Sequence, residues 1–169
     1  NGFTINWADA PASADAIYYL SIKGGKWDVD EFTKRSGTGT QDITTVGFQP
    51  TAYMLFNLGT YTTLNPAAAA DNAIIDIGGT DGTTEGAISL IDEDAVAASD
   101  VYNRFVTDKV IEQITTNGVV TNGQADHSAF LSNGFRLNWT AADTNASYYF
   151  YIAVGDAAAG AARSRGYIF

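Results

Sequence analysis

With 169 residues, the chain has the length of one domain of ordinary size. It contains no cysteine and a single histidine, which excludes disulfides, thiolate metal sites, cysteine nucleophiles and any mechanism needing two histidines. Nine Lys and Arg against 19 Asp and Glu leave a formal net charge of −10, so a nucleic-acid backbone or an anionic membrane surface would repel it and neither is expected as a partner.

The first element follows Asn1-Gly2, a turn-forming pair: Phe3, Ile5 and Trp7 alternate with Thr4 and Asn6, the period-two pattern of a half-buried strand. Small residues from Ala8 to Asp15 lead to a second strand, Ile17 to Ile22, and the two read as a hairpin. Gly24-Gly25 marks the expected boundary. Strands are then expected at Thr40 to Val46, Tyr53 to Asn57, Ala73 to Ile77, Ala87 to Ile91, Tyr102 to Thr107, Val110 to Thr115, Val119-Val120 and Ser128 to Leu131. The breaks between them are Ser36 to Gly39, Gly78 to Gly82, Asn117-Gly118 and Asn122-Gly123, rich in residues that favour turns. Pro66 followed by Ala67 to Ala70 suits one turn of helix. Two further strands, from Phe135 to Trp139 and from Tyr148 to Val154, repeat the opening hairpin, and Ala157 to Ala162 reads as helix or flexible linker. Many short strands separated by such breaks point to an all-β fold, an antiparallel β-sandwich of jelly-roll type. No run approaches the roughly 18 apolar residues of a membrane-spanning helix.

The repetition is ungapped. Asn1-Gly2-Phe3-Thr4-Ile5-Asn6-Trp7 recurs as Asn133-Gly134-Phe135-Arg136-Leu137-Asn138-Trp139, and Tyr18, Tyr19, Leu20 and Ile22 fall on Phe150, Tyr151, Ile152 and Val154. Three segments are therefore expected: residues 1–24, the terminal hairpin of a preceding module or a pair of swapped strands; residues 25–156, the sandwich module; and residues 157–169, a tail. The opening Asn1-Gly2-Phe3 has no basic or apolar leader, so a signal peptide is not expected and the chain reads as a piece of something longer.

This arrangement resembles a modular repeat of structural proteins of tailed bacteriophages. The resemblance rests on an opening phrase, Glu31-Phe32-Thr33-Lys34 through Gly37-Thr38-Gly39-Thr40-Gln41-Asp42-Ile43-Thr44 to Gly47-Phe48-Gln49-Pro50-Thr51-Ala52, and on the closing phrase Asn133 to Trp139. Residues 57–124 diverge. The resemblance implies a virion building block whose motif residues are structural, not an enzyme.

Residues able to carry chemistry have bland readings beside the sharp ones. Asp126-His127-Ser128 offers an orienter, a base and a nucleophile, but neighbours in a strand point to opposite faces and cannot form a relay. Asp92-Glu93-Asp94 with Asp76, Asp81 and Glu85, and separately Asp28, Asp30 and Glu31, offer oxygen ligands for Ca²⁺, yet lack the spacing of a calcium loop and read as solvated turns. Gly78 to Gly82 lacks the ending of a phosphate loop. Asn138-Trp139-Thr140 and Asn145-Ala146-Ser147 match the glycosylation pattern, the first inside a strand. Among the aromatics, Trp7, Trp139, Tyr19 and Tyr151 are expected in the core, and the rest, including Trp27, Tyr18, Tyr148 and Tyr149, are left to a subunit contact or a sugar. Arg163, Arg165 and Tyr167-Ile168-Phe169 form a basic, sticky tail that either docks on an acidic neighbour or frays.

No catalytic, cofactor-binding or metal-binding residue is assigned, and no cofactor is expected. The expected function is a non-enzymatic structural component of a tailed-phage virion (capsid decoration, fibre or tail protein), an oligomer and by expectation a trimer, located in the extracellular particle. Its partners would be copies of itself and other virion proteins. The alternative is a glycan-binding adhesion module that attaches to host surface glycans.

Overall fold

The computed structural model describes residues 4–6, 24–59, 61–64, 73–93, 101–114 and 121–156. Ten strands run through them: β1 (Lys26–Thr33), β2 (Gly39–Ile43), β3 (Ala52–Leu58), β4 (Ala73–Thr80), β5 (Glu85–Asp92), β6 (Val101–Val106), β7 (Ile111–Ile114), β8 (Thr121–Leu131), β9 (Gly134–Ala142) and β10 (Tyr148–Gly155). They form a six-stranded sheet, in the order β1-β10-β3-β4-β5-β6, packed on a four-stranded sheet, β2-β9-β8-β7. Every pairing is antiparallel. The fold is an all-β sandwich, as the alternation of short strands and turns requires, and no helix occurs among the described residues.

Period-two patterning places the core. Tyr53 and Leu55 of β3, Tyr149, Tyr151 and Ala153 of β10, and Phe135, Leu137 and Trp139 of β9 turn inward and are buried. Their rings fill the space between the sheets: Tyr53 stacks on Phe135 at 4.1 Å, Phe32 stacks on Tyr149 at 5.7 Å, and Tyr151 meets Phe135 edge-on at 5.6 Å. The pairing of β1 with β10 and of β2 with β9 nests the two ends of the chain as a jelly roll does, one pair in each sheet. The middle departs from that scheme and forms two meanders, β3-β4-β5-β6 and β7-β8-β9.

The repeated unit, in its second copy, is not a hairpin. β9 and β10 lie in different sheets, joined by residues 143–147 as an arch across the edge of the sandwich. The physical reason is that both strands carry large inward rings, which meet across the space between the sheets (Trp139 and Tyr149 pack edge-on, centroids 6.2 Å apart) instead of lying side by side in one sheet.

Other boundaries shift for identifiable reasons. β1 was not among the expected strands, because its inward positions, Asp28 and Asp30, are acidic and its apolar ones, Trp27 and Val29, face outward. β4 continues through Gly78-Gly79, expected as a turn. A Cβ on Gly78 would lie 2.0 Å from the Val110 carbonyl oxygen, so the glycine serves a close approach of backbone to strand. β8 runs through Asn122-Gly123, where its pairing with β7 shifts register past Asn122, and its pairing with β9 shifts twice further on. β2 stops at Ile43, ahead of a turn at Thr45-Val46. The first copy of the repeated unit (apart from the exposed residues 4–6), the helical turn after Pro66, Val119-Val120 and residues 157–169 lie outside the described residues.

Candidate interaction face

The six-stranded sheet carries apolar side chains on its outer as well as its inner surface. Register places Glu31, Phe150, Phe56, Ile77, Ile88 and Phe105 in one row across all six strands on the outside. The neighbouring row runs Val29, Ile152, Met54, Gly79 and Gly86, and the row on the other flank includes Ile75 and Leu90. Ten large hydrophobic side chains of this face are exposed, among them Phe105 at 68%, Val29 at 67% and Leu58 at 62%. The charged residues of the outer rows are Glu31 on β1 and Asp92 at the end of β5. An open trough of about 700 Å³ crosses the face above Gly79 and Gly86, with Trp27 near one end and Phe105 near the other. Scattered exposed apolar residues are ordinary on a protein surface, but a contiguous sheet of them marks a contact.

Beneath this face the polarity is inverted. Asp76, Asn57 and Ser89 point inward from the six-stranded sheet and meet Gln113 of β7, and all of them, with the neighbouring Glu112, are buried. Ser89 donates its hydroxyl proton to Asp76, and Gln113 also hydrogen-bonds that carboxyl. Burial nevertheless prevails over these bonds and pushes Asp76 up to about 7. Gln113 donates to Asn57 Oδ1 at 3.3 Å, and Asn57 donates to the Tyr148 carbonyl at 2.6 Å. Glu112 accepts from Gln124 Nε2 at 2.6 Å and pairs with Arg104 Nε at 3.0 Å, tying β6 to β7 and β8. Directional bonds hold the sheets together here beside a small apolar cluster of Ile74, Ile91 and Ile114, while Ile75, Ile77, Ile88 and Leu90 stand on the outside.

The residues singled out in the sequence do not converge. His127 packs between Tyr53 and Phe130, with Nδ1 3.1 Å from the Tyr53 hydroxyl, and burial lowers its pKa. Asp126 faces the other way and pairs with Lys109 at 3.0 Å, while Ser128 sits in the second register shift of β8. Asp76 is interior, Asp81 accepts the Thr83 and Thr84 amides within the β4–β5 turn, and Glu85 accepts the His127 amide at 3.2 Å. Asp92 and Glu93 end β5, and Asp94 lies outside the described residues. Asp28 accepts from the Tyr151 hydroxyl at 2.6 Å. No cluster of three or more carboxylate or imidazole groups placed to hold a metal occurs among the described residues. Trp139 and Tyr151 are in the core, and Tyr149, which shares their inward parity, joins them there; Trp27 and Tyr148 face outward.

The opening and closing phrases meet along one seam. Gln41 Oε1 accepts from Trp139 Nε1 at 2.8 Å while its amide donates to the Thr33 carbonyl at 2.7 Å. Lys34, buried to its tip, pairs with Asp143. Gly47 donates to the Asn133 carbonyl at 3.1 Å, and Gly134 lies so close beneath Ile43 that a Cβ would fall 1.8 Å from the Ile43 carbonyl oxygen. Both phrases are devices for closing the sandwich.

The apolar outer face was the feature sequence reasoning missed, although a signal was present. Ile74-Ile75 with Ile77, Ile88 with Leu90-Ile91, and Tyr148 to Val154 are near-continuous apolar runs, the pattern of strands covered on both faces. Family models, curated proteins and solved structures give no match to the chain.

Proposed function

We propose that the chain is a non-enzymatic structural component of a tailed-phage virion, a capsid decoration, fibre or tail protein, that works as a self-associating β-sandwich. The observation that carries this reading is the broad, nearly uncharged outer face of the six-stranded sheet, which is built for contact with protein. The phrases that resemble phage modules support it, since their side chains are spent on closing the fold. Antibodies against the chain should label particles purified from the same source, and mass spectrometry should find it there in many copies. Particles that lack it would reject the reading.

A second reading, the glycan-binding module, draws on Trp27 and Phe105 near the ends of the trough, because exposed aromatic rings stack on sugars. The trough is walled mainly by aliphatic and aromatic side chains, and the Asp81 carboxylate at its edge is already engaged by two backbone amides. Sugar hydroxyls would find few hydrogen-bond partners there. Binding on a glycan array that is lost in Trp27→Ala would favour this reading over the first.

A further inference from the structure

We infer that the outer face of the six-stranded sheet is covered by the same face of a second copy, the two copies stacking sheet on sheet about a two-fold axis. The inference rests on the self-association proposed above and specifies its symmetry and its surface.

Three observations commit the face to that occupant. The first is area. Six strands at about 4.8 Å spacing and seven or eight residues at about 3.3 Å each span a patch on the order of 700 Å². That is close to the roughly 800 Å² per partner of a stable protein–protein contact. The second is charge. The chain carries a net charge of −10, so two copies repel wherever their carboxylates meet. The outer rows of this sheet are almost free of them, with Glu31 and Asp92 towards the margins. The same lack of charge leaves nothing on the face to select an unlike partner. The third is shape. Two sheets of the same twist stack closely at about 10 Å, and a sheet face always matches the twist of its own copy. A patch that meets its own like closes with two copies, whereas a ring of three needs two different patches. The pair therefore replaces the three-fold state expected from the resemblance.

The face also supplies its own test. Gly86 lies in the trough, its φ is not in the left-handed region, and a Cβ there meets nothing closer than the Val106 carbonyl oxygen at 3.9 Å. Gly86→Phe therefore starts its side chain without a clash at Cβ and directs a ring into the hollow. Ile88→Glu places a charge in the central row, at a position already 46% exposed in the single chain. Thr38→Glu, in the exposed β1–β2 loop, is the control away from the face.

Native mass by light scattering across a concentration series is the measurement, with circular dichroism confirming that each variant folds. The wild type and Thr38→Glu should have twice the mass of the chain. Ile88→Glu should weaken pairing by at least about thirtyfold, the effect of burying an unpaired charge, and Gly86→Phe should also shift the mass towards the monomer. A wild-type monomer, a trimer, or a dimer indifferent to both face variants would overturn the inference. None of these outcomes decides whether the protein belongs to a particle, which the labelling of purified particles tests separately.

Discussion

Asp76 holds a carboxyl group inside the sandwich, opposite Ser89 on β5, and the cost of burying it sets a pH dependence. Its folded pKa of about 7 lies above the ordinary 3.8, so the folded state binds a proton that the unfolded state has lost over that interval. Stability contributed by this group is present below about pH 4 and declines as pH rises towards 7, by on the order of 4 kcal/mol. His127 acts with the opposite sign: burial lowers its pKa from 6.5, so it weakens the fold as the pH falls below that value. Comparing Asp76→Asn with the wild type by urea unfolding isolates the carboxyl. The variant should lose the Asp76 part of the slope and be the more stable protein at pH 8 relative to its standing at pH 4. Parallel stability curves for the two proteins would show that Asp76 is not buried as described.

At the scale of elements, the seam between β2 and β9 joins the opening and closing phrases of the sequence. Gly134 must be glycine because the Ile43 backbone occupies the space of its side chain. Gly134→Ala should cost roughly 3 kcal/mol or more, read as a lowered midpoint in thermal unfolding. A near-neutral effect would mean that β2 does not lie on β9. The strands of this seam were legible in part: Phe135, Leu137 and Trp139 alternate cleanly, and their inward side is the buried side. The path of the chain was not legible. Alternation tells which side of a strand is buried but not which sheet receives it, so β9 and β10 read as a hairpin when they form an arch. β1 escaped detection because its polarity is reversed, with Asp28 bonded to Tyr151 inside and Trp27 outside. The polar interior of Asn57, Asp76, Ser89 and Gln113 was hidden for a related reason: polar side chains in strands read as solvent-facing, and only pairing across the sandwich shows that these face one another.

For the whole molecule, all ten described strands lie between Lys26 and Gly155. Removing residues 1–23 should therefore leave its circular dichroism and its cooperative melting in place and change only higher association. Loss of the folded state would instead assign those residues to the core of this sandwich. In the proposed pair, the outer face of the larger sheet of one copy is hidden against the same face of the other. Met54 is the only methionine in the sequence and stands on that face, 48% exposed in the single chain. Its rate of oxidation by hydrogen peroxide, followed by mass spectrometry at rising protein concentration, reads the cover directly. Protection that grows with concentration, and is absent in Ile88→Glu, is the predicted result; a rate that stays fast and constant at every concentration would contradict the account.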